Sequence, residues 1–443
     1  MKNIAFIGLG YVGLTSAVCF SFKGFTCYGY DIDKEKINKL QEGVLPIYEK
    51  DLDKYFSQVY NKRFLPTTNL KEVVENSELI FITVGTPSKE DGSINLDYIE
   101  AACKSIGNYL KEIRKNYKLI IIKSTVIPGT TNNLILPTIE KFGLKLGKDF
   151  GLVVNPEFLR EGNAVYDTFN PDRIIIGYKI ENDGNILEDF YKDLYKENFP
   201  PILKTNFVNA ELIKYANNAF LAMKISFINM IANLCQKLEG ADIEEVAKGI
   251  GLDKRIGKEF LKAGLGYGGS CFPKDLDALR NFAKSINTEL PLLEATIKIN
   301  NEQYYKAIEL AKTELGDLKG KTISILGLSF KAGTDDIRNA VSLKIVDRLL
   351  KEGVYIKVYD PQAMENFKKV FSNDNIYFAK NIEDCLSSSE CAIIVTEWEE
   401  FKKLKPETFK KLMKYPFVVD GRRIYQPEEF KSKVIFKAIG YNN

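Results

Sequence analysis

Histidine is absent from this chain of 443 residues. It is the usual general base near neutral pH and the commonest metal ligand. Proton transfer must therefore rely on lysine, carboxylates, cysteine, tyrosine or water, and we predict that the protein holds no metal.

Net charge is also low, because the 62 Lys and Arg residues are nearly balanced by 59 Asp and Glu residues, which gives a formal charge of +3. The sequence has no basic run interleaved with aromatic residues, which is the pattern of a nucleic-acid surface. A small molecule is therefore the expected partner, and we predict no nucleic-acid binding.

Cysteine pairs with the spacing Cys-x-x-Cys do not occur, and the number of cysteines, seven, is odd. This pattern argues against a disulfide framework or a zinc site and favours reduced thiols in the cytoplasm. Cys19, Cys103 and Cys235 fall in helical patterns, and we interpret them as small buried residues.

Charged residues are missing between Ile4 and Phe22, a run that could be taken for a signal peptide or membrane anchor. Gly8, Gly10 and Gly13 would be poor placements in a short apolar signal core. A strand followed by a buried helix explains the same apolarity, so we predict no membrane association.

Apolar runs typical of buried strands alternate with helical stretches in the first half of the chain. These runs lie at 3–8, 26–31, 79–84, 119–125, 151–154 and 173–177. The alternation predicts an α/β domain whose parallel sheet is covered on both faces.

A long helical pattern follows at 209–239, without proline or glycine. At 1.5 Å per residue it would extend roughly 45 Å, long enough to bridge domains. A second helical group continues to about residue 313.

The C-terminal part repeats the beginning: Thr322–Leu328 is similar to Asn3–Leu9, and Asp360 follows a strand as Asp31 does. The glycine motif has changed to Gly-Leu-Ser-Phe-Lys331, which predicts that this domain holds a phosphate by side-chain charge. Two unrelated α/β domains of generic pattern are the alternative. We predict a Rossmann-type domain at 1–205, a central helical domain at 206–313 and a Rossmann-like nucleotide domain at 314–443.

Gly8-Leu-Gly10-Tyr-Val-Gly13 lies between a strand and a helix, 18 residues before Asp31. This is the context of a dinucleotide fingerprint, in which a pyrophosphate meets backbone amides at the helix N-terminus. Asp31 would accept hydrogen bonds from the ribose hydroxyls and repel the extra phosphate of NADP, so NAD is favoured. Lys34 and Lys36 weaken that preference, and a glycine turn with no dinucleotide is the alternative.

Cys271 stands in the loop Gly266-Tyr-Gly-Gly-Ser-Cys-Phe-Pro-Lys-Asp275. A helix is predicted from Pro273, which would place the thiol at a helix N-terminus beside Lys274, and both features favour the thiolate. The glycines would let a bulky substrate reach the sulfur. A small buried residue is the ordinary alternative for a lone cysteine.

A nucleophilic cysteine next to an NAD site indicates a two-step oxidation. An alcohol oxidised to an aldehyde could be trapped as a thiohemiacetal, oxidised again to a thioester and hydrolysed to a carboxylate. Without histidine, lysine or a carboxylate would have to carry the protons.

The chain resembles the UDP-glucose/GDP-mannose dehydrogenase family from end to end. The residues that carry the resemblance are Gly8–Leu14, Thr86-Pro-Ser88, Lys123–Val126, Asn155–Gly162, Pro171-Asp-Arg173, Glu211–Phe220, Arg255-Ile-Gly257, the Cys271 loop, Gly327–Lys331 and Asp420-Gly-Arg422. The resemblance implies an NAD domain, a central domain with a dimerising helix and a C-terminal domain for the UDP-sugar. It further implies oxidation of UDP-glucose to UDP-glucuronate with two NAD and water.

The resemblance also assigns roles, with Cys271 as the nucleophile and Asp275 as the residue that positions or activates water. Lys214 would stabilise an oxyanion and shuttle a proton beside Asn218, Glu157 would assist thioester hydrolysis, and Thr125 would lie near the reacting centre. The implied cofactor contacts are Gly8, Gly10, Tyr11, Val12, Gly13, Asp31, Lys36, Thr86, Pro87, Thr125, Glu161 and Arg338. The implied substrate contacts are Glu157, Phe158, Leu159, Lys214, Asn218, Arg255, Phe260, Lys262, Tyr267, Gly268, Lys331 and Arg422.

Several alternatives stay open at this stage. Lys214 and Asn218 share a helix face, but Lys214 could instead form a simple surface ion pair with Glu211. Arg423 could replace Arg422 on the phosphates. The resemblance also implies that Arg255 reaches the neighbouring subunit of a homodimer.

The substrate could also be GDP-mannose or a UDP-N-acetylated hexosamine. More distant alternatives for the function are a one-step hydroxyacid dehydrogenase and a non-catalytic binding module.

Overall fold

The computed structural model describes residues 2–113 and 117–442. The chain divides into two compact units. Unit 1 comprises the residues up to Asn217 together with Asp277–Phe282, and unit 2 comprises Asn218–Leu276 and the residues from Ala283 on. The division into three domains stays a prediction.

Unit 1 is built on an eight-stranded sheet. Its strands are β1 (Ile4–Ile7), β2 (Cys27–Tyr30), β3 (Phe64–Thr67), β4 (Leu79–Ile82), β5 (Lys118–Ile122), β6 (Phe150–Val154), β7 (Ile174–Tyr178) and β8 (Ile202–Thr205). The α-helices among them are α1 (Tyr11–Phe22), α2 (Lys34–Gln41), α3 (Leu52–Val59), α4 (Leu70–Asn76), α5 (Asp97–Ile113), α6 (Leu136–Glu140), α7 (Ala164–Phe169) and α8 (Glu181–Tyr195). A π-helical turn at Thr131–Ile135 precedes α6, and a 3-10 turn at Lys196–Asn198 follows α8.

The strand order is β3-β2-β1-β4-β5-β6-β7-β8. The predicted parallel sheet is confirmed except at one place, where β7 runs antiparallel to β6. Two strands, β3 and β8, were not predicted, and both lie at edges of the sheet. Pro66 interrupts the apolar pattern of β3, and an edge strand tolerates proline because one side of it needs no ladder hydrogen bonds.

Alternating side chains of the central strands enter two different cores. Ile4 and Phe6 of β1 belong to one cluster, whereas Ala5 and Ile7 belong to the other. Strands β4 and β5 alternate in the same way. Both faces of the sheet are therefore covered, which explains why these strands are continuously apolar in sequence.

The uncharged run near the N-terminus is β1, the glycine turn and α1. Residues Gly13–Ser21 of α1 are all buried, so the run is apolar because its helix packs within unit 1. The long helix is α9, Phe207–Cys235, which confirms the predicted pattern with a slightly earlier start and end. By length and composition alone, α9 could cross a membrane, since its most apolar stretch has a mean hydropathy of 1.3.

Unit 2 contains helices from the central part of the chain and a second sheet. Its helices are α10 (Ile243–Gly251), α11 (Phe272–Ser285), α12 (Pro291–Gln303), α13 (Tyr305–Leu315), α14 (Val341–Lys351), α15 (Met364–Lys368), α16 (Ile382–Leu386), α17 (Glu399–Lys402), α18 (Pro406–Leu412) and α19 (Pro427–Lys431). Its strands are β9 (Thr322–Leu326), β10 (Tyr355–Tyr359), β11 (Ile376–Phe378), β12 (Cys391–Ile394), β13 (Phe417–Asp420) and β14 (Ile435–Ala438). Residues Asp277–Phe282 of α11 group with unit 1.

The second sheet repeats the first, as the sequence predicts. Its order β11-β10-β9-β12-β13-β14 matches the first six strands of unit 1 in topology, the order of a Rossmann fold. Gly327 N donates to the Tyr359 carbonyl just as Gly8 N donates to that of Tyr30. The alternative of two unrelated α/β patterns is therefore excluded.

Asp360 organises the loops at the carboxyl edge of this second sheet. It is almost fully buried and accepts hydrogen bonds from four backbone amides, those of Leu328, Ser329, Gln362 and Ala363. The hydroxyl of Ser329 and the indole nitrogen of Trp398 also donate to it, at 3.1 and 3.0 Å.

We expect Asp360→Asn to destabilise unit 2 by about 3 kcal/mol. The asparagine side-chain NH2 would replace one carboxylate oxygen and face backbone N–H groups that need an acceptor. Denaturant unfolding followed by the fluorescence of Trp398, which is the chain's one tryptophan, measures this. Asp374→Asn at an exposed site is the control and should stay within about 0.5 kcal/mol of the parent. Equal stability of the two variants would contradict the role given to Asp360.

Candidate active site

The fingerprint glycines of unit 1 have three different functions in the fold. Gly8 has φ +98°, and a Cβ there would lie 2.8 Å from the Val84 backbone. A Cβ on Gly13 would overlap the Gly8 carbonyl oxygen, so this glycine lets α1 pack against the strand. Gly10, by contrast, has open space where a Cβ would be and forms the N-cap of α1. The free side of Gly10, at a helix N-terminus, fits a pyrophosphate.

Asp31 follows β2 and is buried at this same edge. Its carboxylate accepts from the amides of Leu9 and Asp33 at 2.9 and 3.0 Å and from Lys36 Nζ at 2.8 Å. Burial would raise the pKa of Asp31, but these hydrogen bonds and the charge of Lys36 outweigh it and lower the pKa. The carboxylate stays ionised and, with about four acceptor positions, retains capacity for a ribose hydroxyl. Lys36 is thus bound to Asp31 and neutralises part of the charge that would repel NADP.

The loops after β4 and β5 line the same edge and are tied to the fingerprint. Thr83 Oγ1 donates to the Gly8 carbonyl at 2.7 Å. Thr86 Oγ1 donates to the Thr125 carbonyl at 2.9 Å. Of the other predicted cofactor contacts in unit 1, Pro87 is exposed, while Tyr11, Val12, Thr125 and Glu161 are half-buried.

Lys214 and Glu157 form a buried ion pair. Lys214 Nζ lies 2.8 Å from Glu157 Oε1 and 2.8 Å from the Glu157 carbonyl, and each side chain is less than a tenth exposed. Burial would raise the pKa of Glu157, but the charge and hydrogen bond of Lys214 outweigh it, so the pKa is lowered. This carboxylate and ammonium can exchange a proton away from bulk water.

Glu211, the alternative partner of Lys214, has a different role. Its carboxylate accepts from the amides of Gly129 and Thr131 at 2.6 and 2.8 Å, which holds the start of the π-helical turn. The interpretation of Lys214 and Glu211 as a surface ion pair is therefore wrong. The i,i+4 relation of Lys214 and Asn218 on α9 is confirmed.

The segment that carries Glu157 is held in part by Glu49, a residue that the sequence did not single out. Glu49, buried, accepts from the amides of Gly162 and Ala164 at 2.8 and 2.9 Å. Leu159 N donates to Glu157 Oε2 at 2.6 Å. The ring of Phe158 lies 3.7 Å from the guanidinium carbon of Arg173, which fixes its plane. No local pattern would have found Glu49, because it lies more than 100 residues from the segment it holds.

Lys123, the first residue of the Lys123–Val126 motif, is a second buried lysine beside the pair. Its Nζ donates to Asn155 Oδ1 at 3.1 Å. Burial lowers its pKa to about 8, with the charge of Glu157 opposing and that of Lys214 adding to the shift. Lys123 lies in the apolar run 119–125 that predicts a buried strand, but its nearness to Glu157 and Lys214 depends on tertiary packing that the run does not predict.

In unit 2, Cys271 is the N-cap of α11, and the helix begins at Phe272, one residue before the prediction. Its Sγ is 3.6 Å from Ser270 Oγ. Cys271 is exposed, whereas the other six cysteines are buried, which confirms the interpretation of Cys19, Cys103 and Cys235. Burial raises the pKa of the Cys103 thiol to about 12, so that thiol is inert.

Lys274 is oriented differently from the prediction. Its Nζ lies 2.7 Å from Asp275 Oδ1, so much of its charge is directed at that carboxylate rather than at the thiol. Asp275 is nearly fully buried, and its second oxygen accepts from Asn218 Nδ2 at 2.7 Å. The structure thereby fixes Asp275 between a cation and an amide, within one helical turn of Cys271.

The glycines before Cys271 are needed for packing rather than for access. Gly266 and Gly269 have φ of +99° and +85°, and a Cβ on them would lie 2.7 Å from Asn300 and Phe330 respectively. A Cβ on Gly268 would overlap the Asn339 carbonyl oxygen. The expectation that these glycines leave room for substrate is therefore corrected, since their missing side chains let the loop pack against Asn300, Phe330 and Asn339 within unit 2.

Arg422 and Arg423 differ clearly in their surroundings. Arg422 donates to the carbonyls of Val395 and Gly266 at 2.6 and 3.1 Å, beside the loop of Cys271. Arg423 forms a buried ion pair with Asp242 at 2.8 Å, which commits its charge to the fold. Arg422 is therefore the better candidate for a phosphate.

The remaining predicted substrate contacts of unit 2 are more exposed. Arg255 has a side chain 89% exposed, paired with Asp253 at 2.6 Å, and Lys262 is also exposed. Phe260 has φ +63°, a strained conformation for a bulky residue that persists mostly at functional sites. The rings of Phe260 and Tyr267 lie 6.3 and 5.6 Å from that of Phe272, next to Cys271.

Two further cations of unit 2 were predicted as ligand contacts. Lys331 Nζ lies 5.4 Å from the Phe330 ring centre. Arg338, predicted on the cofactor side, is bidentate to Asp336 with Nη2 at 2.6 Å, and its side chain is 56% exposed.

A matched pair of substitutions tests the fingerprint loop. Gly10→Ala should fold normally, because its Cβ meets nothing, yet weaken NAD binding by about tenfold, or ~1.4 kcal/mol. Gly8→Ala should lower the free energy of unfolding by about 1–3 kcal/mol, because of its positive φ and contact with Val84. Calorimetric NAD titration and denaturant unfolding separate the two effects. If Gly10→Ala binds NAD as tightly as the parent, the pyrophosphate does not lie against Gly10.

Three consecutive family models match the chain. They are the UDP-glucose/GDP-mannose dehydrogenase family NAD binding domain at residues 2–195, the central domain at 208–302 and the UDP binding domain at 324–427.

Similar proteins cover the whole chain as well. The UDP-glucose 6-dehydrogenase of Rickettsia bellii is 46% identical over 97% of this chain and 97% of its own. The UDP-glucose 6-dehydrogenase TuaD of Bacillus subtilis is 42% identical over 99% and 93%. A UDP-glucose dehydrogenase structure from Pyrobaculum islandicum superposes with TM-score 0.91 at 36% identity, covering 100% of this chain and 98% of that one. The chain belongs to the UDP-glucose/GDP-mannose dehydrogenase family, an NAD-dependent dehydrogenase family.

Proposed function

We propose that this enzyme oxidises UDP-glucose to UDP-glucuronate with two NAD and one water, through intermediates covalently bound to Cys271. The observation that carries the proposal is the exposed thiol of Cys271 at the N-terminus of α11, in a chain whose other cysteines are buried. The names of the similar proteins from Rickettsia bellii and Bacillus subtilis support the choice of sugar nucleotide.

The residues of unit 1 hold the cofactor and move a proton. Gly10 and the first amides of α1 would receive the pyrophosphate, and Asp31 would receive the adenosine ribose. NAD supplies the hydride acceptor when bound. Lys214, in its neutral form, takes the proton of the sugar hydroxyl as the alcohol is oxidised, and the ionised carboxylate of Glu157 stabilises the ammonium that forms.

The residues of unit 2 supply the covalent step. Cys271 Sγ adds to the aldehyde carbon, and the resulting oxyanion is protonated to a thiohemiacetal. Its oxidation gives a thioester, which water hydrolyses with release of the Cys271 thiol. Asp275, held by Lys274 and Asn218, is placed to orient that water, and Lys331 and Arg422 carry charges suited to a diphosphate.

A UDP-N-acetylated hexosamine is the alternative substrate, because a UDP-ManNAc dehydrogenase structure from Pyrococcus horikoshii also superposes, with TM-score 0.84 at 28% identity over 99% of both chains. NADH release measured with UDP-glucose, GDP-mannose and UDP-N-acetylglucosamine decides the substrate. We expect turnover with UDP-glucose and two NADH per sugar. A yield of one NADH would exclude the cysteine route.

Cys271→Ser should stall after the first oxidation or retain a covalently bound intermediate, and turnover to the acid should fall by about 10³-fold or more. Quench-flow stoichiometry of NADH, together with mass spectrometry of the intact protein, measures both outcomes. Cys103→Ala, which removes a buried thiol, should leave the stoichiometry at two. Normal two-step turnover by Cys271→Ser would refute the nucleophile assignment.

A homodimer is part of the proposal. Phe220, Phe227 and Leu234 repeat every seven residues on α9, which places them on one face, and they are 60%, 41% and 55% exposed. An apolar stripe of this kind favours contact with a second copy. The exposed Arg255 is available to a neighbouring subunit, and the reduced thiols favour a cytoplasmic location.

Subunit mixing tests the shared site. Arg255→Ala and Cys271→Ser should each be inactive alone, but mixed dimers should recover activity, because one site then combines an intact Cys271 with the partner's intact arginine. A Phe220→Glu, Phe227→Glu variant should sediment as a monomer and show no complementation. Absence of recovery in a dimer that exchanges subunits would show that Arg255 acts within its own chain.

A further inference from the structure

Lys123 is a buried ammonium at the carboxyl end of β5, and the reaction described above does not use it. It is 8% exposed. Within the described residues, the hydrogen bond of its Nζ goes to Asn155 Oδ1, a neutral oxygen that also accepts from the Tyr191 hydroxyl at 2.5 Å. A buried lysine with one amide acceptor and no carboxylate in contact is unfavourable for stability. Unlike other buried lysines of this sheet, Lys123 also lies beside the Glu157–Lys214 pair, and this neighbourhood gives its charge a possible function.

The titratable groups near Lys123 come from three other elements. Glu157 lies on the segment after β6, and Lys214 lies on α9; their charges act on Lys123 in opposite directions. Tyr191 of α8 stays neutral, because burial raises the pKa of its hydroxyl well above the usual value.

The pair on its own would be a poor proton acceptor. Lys214 Nζ donates to both the carbonyl and a carboxylate oxygen of Glu157 at 2.8 Å, and both contacts stabilise the ammonium form. A lysine that accepts a proton from substrate must first be neutral, so another group has to counteract this stabilisation of the ammonium form. A second cation in the same buried cluster provides one, because like charges disfavour a second ammonium.

We propose that Lys123 is a positioning residue that sets the charge of the Glu157–Lys214 pair, keeping Glu157 ionised and driving the proton off Lys214 before substrate is oxidised. The inference rests on the proposed function, in which Lys214 accepts the proton of the sugar hydroxyl. It explains why an ammonium is placed where burial disfavours it.

The pH range follows from the sign of the shift. Burial lowers the pKa of Lys123 to about 8, so Lys123 is charged below that pH and neutral above it. Replacing Lys123 by a neutral residue therefore has an effect below pH 8, because the pKa of Lys214 rises when the neighbouring charge is lost. Above pH 9 the parent enzyme has already lost this charge, and parent and variant should converge.

Lys118 offers a matched control on the same strand. It begins β5 as Lys123 follows its end, it is 2% exposed, and its Nζ donates to the Glu75 carbonyl at 2.8 Å. Burial lowers its pKa as well. Lys118 lies at the amino end of β5, whereas Lys123 lies at the carboxyl end, on the side of Glu157 and Lys214.

The experiment compares kcat and KM for UDP-glucose from pH 6 to 10 in Lys123→Met, Lys123→Gln, Lys123→Arg and Lys118→Met. We expect the acidic limb of kcat to move up by about one pH unit in Lys123→Met and Lys123→Gln, a loss of ~10-fold at pH 7 that vanishes by pH 9.5. KM should not change. Lys123→Arg, which retains the charge, should restore the limb, and Lys118→Met should leave it in place.

Melting temperatures separate this role from a structural one. Lys123→Met should melt no lower than the parent at pH 7, because it removes a buried charge. A loss of kcat by the same factor at every pH, or an unshifted limb in both neutral variants, would overturn the proposal. If the parent enzyme itself fails to release two NADH from UDP-glucose, the proposed function fails instead, which is a distinct result.

Discussion

The buried ion pair of Lys214 and Glu157 is the interaction on which the rest of unit 1 depends. Removing two charges from water is expensive unless further hydrogen bonds satisfy them. The amide of Leu159 donates to Glu157, and the carbonyl of Glu157 accepts from Lys214, and these two hydrogen bonds provide that compensation. A chain without histidine has to keep its proton carriers as lysines and carboxylates, and it keeps their proton exchange local by burying them together.

Buried carboxylates also shape the loops around the sites. Asp31, Glu49, Glu211 and Asp360 each accept from two or more backbone amides. Each such group holds a loop that strand pairing leaves without partners, at the edge where parallel strands end. The same device that stabilises the fold thus fixes the positions of the residues that meet ligands.

The parts of the site that the sequence predicts are those specified locally. Gly8 to Gly13 with Asp31 form one strand–turn–helix unit, and Pro273 marks the helix that begins after Cys271. The parts it misses depend on residues far apart in the chain. Glu49 holds a segment beyond residue 160, and the partner of Lys214 is Glu157 rather than the nearby Glu211. Helical spacing alone favours Glu211 as the partner of Lys214, whereas tertiary packing brings Glu157 into contact with it.

The two sheets share one topology but differ at the place where the sequence predicts a phosphate. In unit 1, α1 begins at Tyr11, directly after the glycine turn that follows β1, so the predicted phosphate contacts are backbone amides at a helix end. In unit 2 the helix after β9 begins only at Val341, and the intervening segment carries Lys331 and Arg338. The helix end is no longer next to the glycine, so charge from side chains has to replace it. Asp360 nevertheless keeps the position of Asp31, but its oxygens are taken by Ser329, Trp398 and four amides. Asp31 accepts three hydrogen bonds and retains acceptor capacity, whereas the six donors to Asp360 commit its carboxylate to the fold of unit 2.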